Sequence, residues 1–405
     1  MILILAWRNI WRNRRRTLIT IASVFFALLF ALLMRALQVG TYDHMLRSML
    51  DAYTGYIQVY STDYYYDRSI DHLFEQDEAV MAGISEIPGV KAAIPRLETF
   101  ALAITARQTK GVMLLGIDPE REKLLSNPAG RITQGRYYRA GEGGLLLAGR
   151  LAAYLGVEPG DTLTLMGMGC QGASAAGLFV VRGILKLPNP DLDRRLIYID
   201  LPSVREYTGC SNMLSSIVIN LDDVNQTAAI RDRISHMFSD KTFRVLTYEE
   251  NSPELIQQID SDKASGYIFL GLLYLIVGFG VFGTVLMMIS ERRKETGVMA
   301  AIGMQRLKLA LVVVTEMLWM GLLGIASSYV VSIPLVWYLQ EFPIRFTGEM
   351  GEIYLNYGLE PIMPARLDLM VNLWQALIVL LIIFISVIYP VISIFKMKET
   401  EALRS

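Results

Sequence analysis

The chain has 405 residues, 53% of them hydrophobic and 19% charged, with a formal net charge of −1. That is too apolar for an ordinary soluble protein of this length, and too near neutrality to favour nucleic acid as a partner. Its two cysteines and three histidines stand at no metal-binding or redox spacing, and His44, His72 and His236 read as surface residues.

A hydrocarbon-spanning helix needs about 20 mostly apolar residues, and four runs qualify. Arg8, Arg12, Arg14, Arg15 and Arg16 precede the first, Thr17–Leu37, and form a basic anchor at its inner end. This run is longer than a signal-peptide core and lacks a small-x-small cleavage site, so a retained span is expected. Arg35, near its outer end, is expected to snorkel to the interface.

Residues 38–265 are mixed and polar, enough for a folded domain. "YTGYIQVYS" reads as a strand, "LFEQDEAVMAGISEI" as a helix closed by Pro88-Gly89, and "VKAAIPRLE" as a second strand. The same order returns in "SSIVINL", "DVNQTAAIRDRISHMF" and "TFRVLTYEE". Two β-α-β units, at 50–99 and 210–250, give a split ferredoxin-like arrangement, with a β-rich insert at 100–209. Within the insert, "GMGCQGASAAG" reads as a flexible hairpin tip. It lacks the Lys-Ser or Lys-Thr of a phosphate loop. Cys170 and Cys210 read as small buried residues, although an oxidising compartment would permit a disulfide. Asp222-Asp223 and Glu249-Glu250 read as caps and solvated turns. Residues 251–265 form either a helical stalk into the second span or a simple tether.

The remaining spans are expected at 266–290, 309–339 and 371–395, separated by a short inner segment (291–308) and an outer loop (340–370), with a tail at 396–405. Arg292, Arg293, Lys294, Arg306 and Lys308 fall between the second and third spans, and Lys396, Lys398 and Arg404 follow the fourth. These clusters agree on one topology, with both termini inside and the large domain outside. The fold class expected is an integral membrane α-helical protein with four transmembrane helices and a large α+β extracytoplasmic domain between helices one and two.

No ATP-binding G-x-x-x-x-G-K-[ST], G-x-S-x-G, H-E-x-x-H or C-x-x-C occurs, which points away from an enzyme and from any metal or directly bound cofactor. The spans contain few polar groups, so a hydrophilic pore is hard to build. Glu316 is the exception. A carboxylate in lipid invites a functional role, but one hydrogen-bonded near the inner interface is equally consistent. Gly321 and Gly324 beside it supply a small-residue packing face, for contact with another helix of this chain or of a second subunit. Between the second and third spans, Val298, Ala301, Ile302 and Gln305 share a helical face. Glu291 and Glu295 would sit in the first turns of a short helix, where acids are favoured, and Gly303 permits a turn. The pattern alone leaves open a docking helix or a linker bound to lipid headgroups.

"LAWRNIWRNRRRTLIT", "LLGIDPEREKL", "LLLAGRLAAYLGVEPGDTLTL", "ERRKETGVMAAIGM" and "YPVISIFKMKETEALR" together resemble the FtsX-like family of ABC-transporter permeases. They look most like its lipoprotein-releasing (LolC/LolE-type) branch, with MacB-type permeases as close relatives. The chain departs from the family pattern at Thr296 and Glu399, where Ile and Pro are frequent. The resemblance implies a cytoplasmic amphipathic helix at 1–16 and a porter-like periplasmic domain carrying the insert. It implies a type VII transporter of the inner membrane that transmits ATP-driven motion outward. Expected partners are an ABC ATPase dimer holding ATP and Mg, a second permease, a periplasmic carrier or adaptor, and lipid or lipoprotein cargo. Export of drugs, peptides or other small amphiphiles and regulation of cell-wall hydrolases are the alternatives within the family. The resemblance favours ATPase coupling through Glu291, Arg292, Arg293, Lys294, Glu295, Gly297, Val298, Met299, Ala300, Ala301 and Gly303.

Overall fold

In lipid every backbone polar group must be satisfied within the protein, so long apolar runs become helices. A computed structural model describes residues 2–12, 14–139, 141–238, 242–356 and 360–396, with backbone alone for residues 2, 292–296, 300, 301 and 356. The chain divides into a helical unit (Met1–Asp43, Gln258–Arg345, Ile362–Ser405) and a mixed unit (His44–Gln257, Phe346–Pro361).

The helical unit has an N-terminal helix, Ile2–Arg12, and four long helices: Arg14–Met49, Pro253–Ala301, Arg306–Glu341 and Leu369–Lys396. Each long helix is apolar enough to cross a membrane. The first continues well past Leu37. The second has 49 residues, or about 70 Å at 1.5 Å per residue, more than twice a ~30 Å hydrocarbon core. No new helix opens at Ser290.

The third helix packs closely on two others. A Cβ on Gly324 would lie 2.7 Å from Val24 of the first helix, and one on Gly321 would lie 2.5 Å from Ile383 of the fourth. Both glycines therefore serve contacts inside this chain, where a subunit contact had been open. Around them Leu28, Val285, Met317, Met320, Val379 and Val387 form a buried cluster. Arg35 is held by partners within the chain. It is 8% exposed, donates from Nη1 to Gln38 Oε1 at 2.7 Å and lies 5.0 Å from the ring centre of Tyr267.

In the mixed unit, ten strands form one sheet: β1 (Ile57–Ser61), β2 (Val90–Ile104), β3 (Thr109–Ile117), β4 (Ile132–Gly135), β5 (Leu145–Ala148), β6 (Thr162–Met168), β7 (Ser174–Leu185), β8 (Leu196–Asp200), β9 (Ser216–Leu221) and β10 (Phe243–Thr247). The order is β10-β1-β9-β2-β3-β8-β5-β7-β4, with β6 pairing β2 and β7. Strands β10, β1, β9 and β2 pair antiparallel in succession. Helices Glu78–Ser85 and Thr227–Met237 lie in their connections. The insert is not separated at residue 100. Strand β2 pairs β9 through Arg96 and continues to pair β6 from Ala101 to Ile104. Its inward alternation runs unbroken through that point, with Leu97, Ala101 and Ala103 buried. Asp223 caps the turn after β9 through Asn225 N, and Thr247 with Glu250 forms a capping box after β10.

The tip between β6 and β7 is tied down rather than free. Cys170 forms a disulfide with Cys210, their Cα atoms 5.5 Å apart, and Gln171 N donates to Asp71 Oδ1 at 2.7 Å. This corrects the reading of two unlinked cysteines, because the fold closes a 40-residue separation that spacing alone leaves uninformative.

A buried ion pair holds β2 to the turn after β3. Arg96 and Glu122 are 2% and 0% exposed. Arg96 donates from Nη2 and Nε to the two carboxylate oxygens at 2.5 and 3.1 Å, and Ser126 Oγ donates to the same carboxylate. Burial opposes the arginine's charge, but Glu122 outweighs it and leaves the guanidinium pKa above its ordinary value. Burial, then the Glu122 charge, push the nearby Tyr198 phenol up to about 12.

Two outcomes are expected in urea unfolding of the mixed unit followed by near-ultraviolet circular dichroism. Glu122→Ala, which strands a buried charge, should cost about 3–5 kcal/mol, and the double change Arg96→Met with Glu122→Leu far less. Equal losses would contradict the pairing. Dithiothreitol should lower the native midpoint, through a stability loss of up to about 4 kcal/mol for a loop of this length, and leave a Cys170→Ser, Cys210→Ser variant unmoved. An equal shift in that variant would contradict the disulfide.

Candidate coupling site

A carboxylate cut off from water needs hydrogen-bond donors or an opposite charge. Glu316, on the third helix, is 1% exposed and accepts from Asn9 Nδ2 at 2.6 Å. Asn9 lies on the N-terminal helix, whose Ala6 and Ile10 are buried. These positions, i, i+3 and i+4, share a helical face. The contact extends to an edge-on pair, Trp7 and Trp319, with ring centres 5.5 Å apart. Thr17 Oγ1 donates back to Ile10 O at 2.7 Å, tying the first long helix to the N-terminal one. Asn9 was missed in the sequence. Its one signal is a polar residue on a face otherwise filled by Ala6 and Ile10.

Arg16 differs from the other anchor residues. Arg8, Arg12, Arg14 and Arg15 are exposed, but Arg16 is 9% exposed and pairs with Glu291. The ion pair fastens the first long helix to the second where its charged segment begins. The expectation that Glu291 and Glu295 open a short helix is corrected. Glu291 lies deep inside a helix that starts at Pro253, where neighbouring peptide units cancel the end charges of the dipole. Glu291 acts as a link between helices instead.

Beyond Glu291, Gly297 is buried, while Val298, Met299 and Ile302 are 41%, 38% and 82% exposed. Together they leave an apolar patch at the helix end. The side chains of Arg292, Arg293, Lys294, Glu295, Ala300 and Ala301 lie outside the described residues. Gly303 turns the chain at φ +97° with no atom crowding it. Its requirement is therefore conformational, since other residues are strained there. The third helix begins three residues on, and Arg306 Nη1 donates to Phe395 O of the fourth at 2.9 Å. The structure thus joins Arg16 to Glu291 and Glu316 to Asn9, and leaves the patch at 298–302 uncovered by described residues.

Residues 267–398 match the FtsX-like permease C-terminal family. The chain is 23% identical over 335 residues to the lipoprotein-releasing system transmembrane protein LolC of Xylella fastidiosa (strain 9a5c), covering 78% of each. It is 21% identical over 326 residues to LolC of Neisseria meningitidis serogroup B, again covering 78% of each. Among solved structures it is similar to the periplasmic region of MacB from Actinobacillus actinomycetemcomitans, at 16% identity and TM-score 0.34, covering 50% of this chain and 92% of that one. It is also similar to the extracellular domain of YknZ from Gram-positive bacteria, at 15% identity and TM-score 0.33, covering 47% and 99%.

Asn9→Leu should loosen the N-terminal helix by on the order of 1 kcal/mol, the scale of a hydrogen bond between membrane helices. With cysteines placed at Trp7 and Trp319, oxidative cross-linking should fall in the Asn9→Leu background. An unchanged yield would remove the role assigned to the Asn9–Glu316 bond.

Proposed function

We propose that this chain, with its FtsX-like permease C-terminal domain over residues 267–398, is the permease subunit of a type VII ABC transporter. We propose further that it releases lipoproteins from the inner membrane to a periplasmic carrier. The observation that carries this reading is the similarity to LolC proteins over 78% of both chains, which spans far more than the shared permease domain.

In this reading the four helices cross the inner membrane, the basic ends face the cytoplasm, and the mixed unit lies in the periplasm with its disulfide in an oxidising compartment. ATP and Mg are held by a separate ATPase dimer. A second permease, identical or a sister subunit, completes the assembly. The segment at 291–308 receives the ATPase, with Val298, Met299 and Ile302 as its apolar contact and the basic run Arg292–Lys294 as its flank. The second helix supports force transmission because it has no helical break from Pro253 to Ala301. The Arg16–Glu291 pair engages the first long helix in the same movement.

The partner and the cargo are tested separately. Val298→Asp with Ile302→Asp should cut co-purification of the ATPase subunit at least about tenfold, since each change removes buried apolar area worth on the order of 1.5 kcal/mol. Membrane insertion should be preserved. Retained co-purification would place the docking surface elsewhere. Depletion of the protein should trap lipoproteins in the inner-membrane fraction. Normal lipoprotein distribution with a collapse of wall-hydrolase activity would favour a regulatory permease instead.

A further inference from the structure

On the mixed unit, strands β2, β3 and β6 open an apolar cleft of about 460 Å³ to solvent, within the size range of small-molecule sites. Phe100, Leu102, Met166 and Met168 line it and are 56%, 49%, 49% and 62% exposed. Single exposed apolar residues are ordinary, but a contiguous set around a concavity marks a binding surface. The methionines are pliable and adapt to an irregular apolar guest. One charged residue lines the cleft, Arg195. It is exposed, and its guanidinium makes no ion pair or hydrogen bond among the described residues.

The backbone beneath narrows the guest. From Ala101 to Ile104, β2 is paired on both sides, to β3 and β6, and β6 is paired to β2 and β7. Along Ala101–Ile104 of β2 and the facing Thr164–Gly167 of β6, neither strand has a free edge for an added peptide strand. Recognition there falls to side chains, which offer hydrocarbon and one cation. A guest that fits has a long apolar body with no hydrogen-bonding demand and an anionic end within reach of Arg195.

We propose that this cleft binds a single-chain anionic amphiphile, its hydrocarbon chain along Phe100, Leu102, Met166 and Met168 and its anionic head on Arg195. The proposal rests on the mixed unit alone and does not require the transport reading.

The test uses the full chain in nanodiscs of zwitterionic lipid and a palmitate probe bearing a terminal diazirine, with cross-linked positions mapped by mass spectrometry. Saturable labelling is expected at residues 100–102 and 166–168, displaced by unlabelled palmitate. Leu102→Asp and Met166→Asp, on different strands and each half exposed, should lower it about tenfold by charging an apolar site. Their folding is checked separately by retention of the Cys170–Cys210 disulfide. Arg195→Gln should lower palmitate labelling roughly fivefold, the loss of a charge-assisted contact, and leave a matched hexadecanol probe unchanged. Absence of labelling on these strands, or labelling indifferent to the aspartates, overturns the proposal. Equal loss for the alcohol probe overturns the assignment of Arg195. A photoreactive residue at position 102 that captures a protein or a second copy of this chain, with no palmitate labelling, replaces the amphiphile with that partner.

Discussion

The helical unit depends on how closely its third helix can be approached. Gly324 leaves no room for a Cβ beside Val24, and Gly321 none beside Ile383. In lipid there is little hydrophobic drive between helices, so close van der Waals contact and a few hydrogen bonds must hold them. With the first and fourth helices seated on these glycines, the same helix can present Glu316 to Asn9 and Trp319 to Trp7. The carboxylate thereby gains a donor from within the chain. The N-terminal helix is thereby seated on the third helix.

The mixed unit solves a different problem, that of joining two folding patterns in one sheet. Strand β2 is long enough to serve both. Its first half closes the antiparallel four-stranded set, and its second half carries the hairpin of β6 and β7. The Arg96–Glu122 pair sits near the middle of this strand. A charge pair in such a place adds little net stability relative to an apolar substitute, but it heavily penalises any register that breaks it. Since a shift of one residue would turn every side chain of β2 to the opposite face, the pair acts as a register pin.

Much of this was legible in the sequence, and what was not has physical causes. The apolar runs and the alternation in "YTGYIQVYS" and "SSIVINL" reflect burial, which is written residue by residue. Gly303 was legible because a charged segment between two spans has to turn. The domain cut at residue 100 failed because a strand can leave one sheet pattern and enter another without altering its own alternation. Glu291 was misassigned because an acid followed by basic residues looks the same at a helix start as in a helix interior. The partners of Glu316 and Cys170 lie 307 and 40 residues away, and such distances carry no local signature.

The disulfide has one more consequence. Both cysteines of the chain are consumed in it, and no free thiol remains. The oxidised protein is therefore silent toward thiol-specific reagents. A single cysteine introduced at any exposed position becomes the sole reactive handle. Spin labels, fluorophores or membrane-impermeant blockers can thus be aimed at chosen points along the second helix in the otherwise unaltered chain.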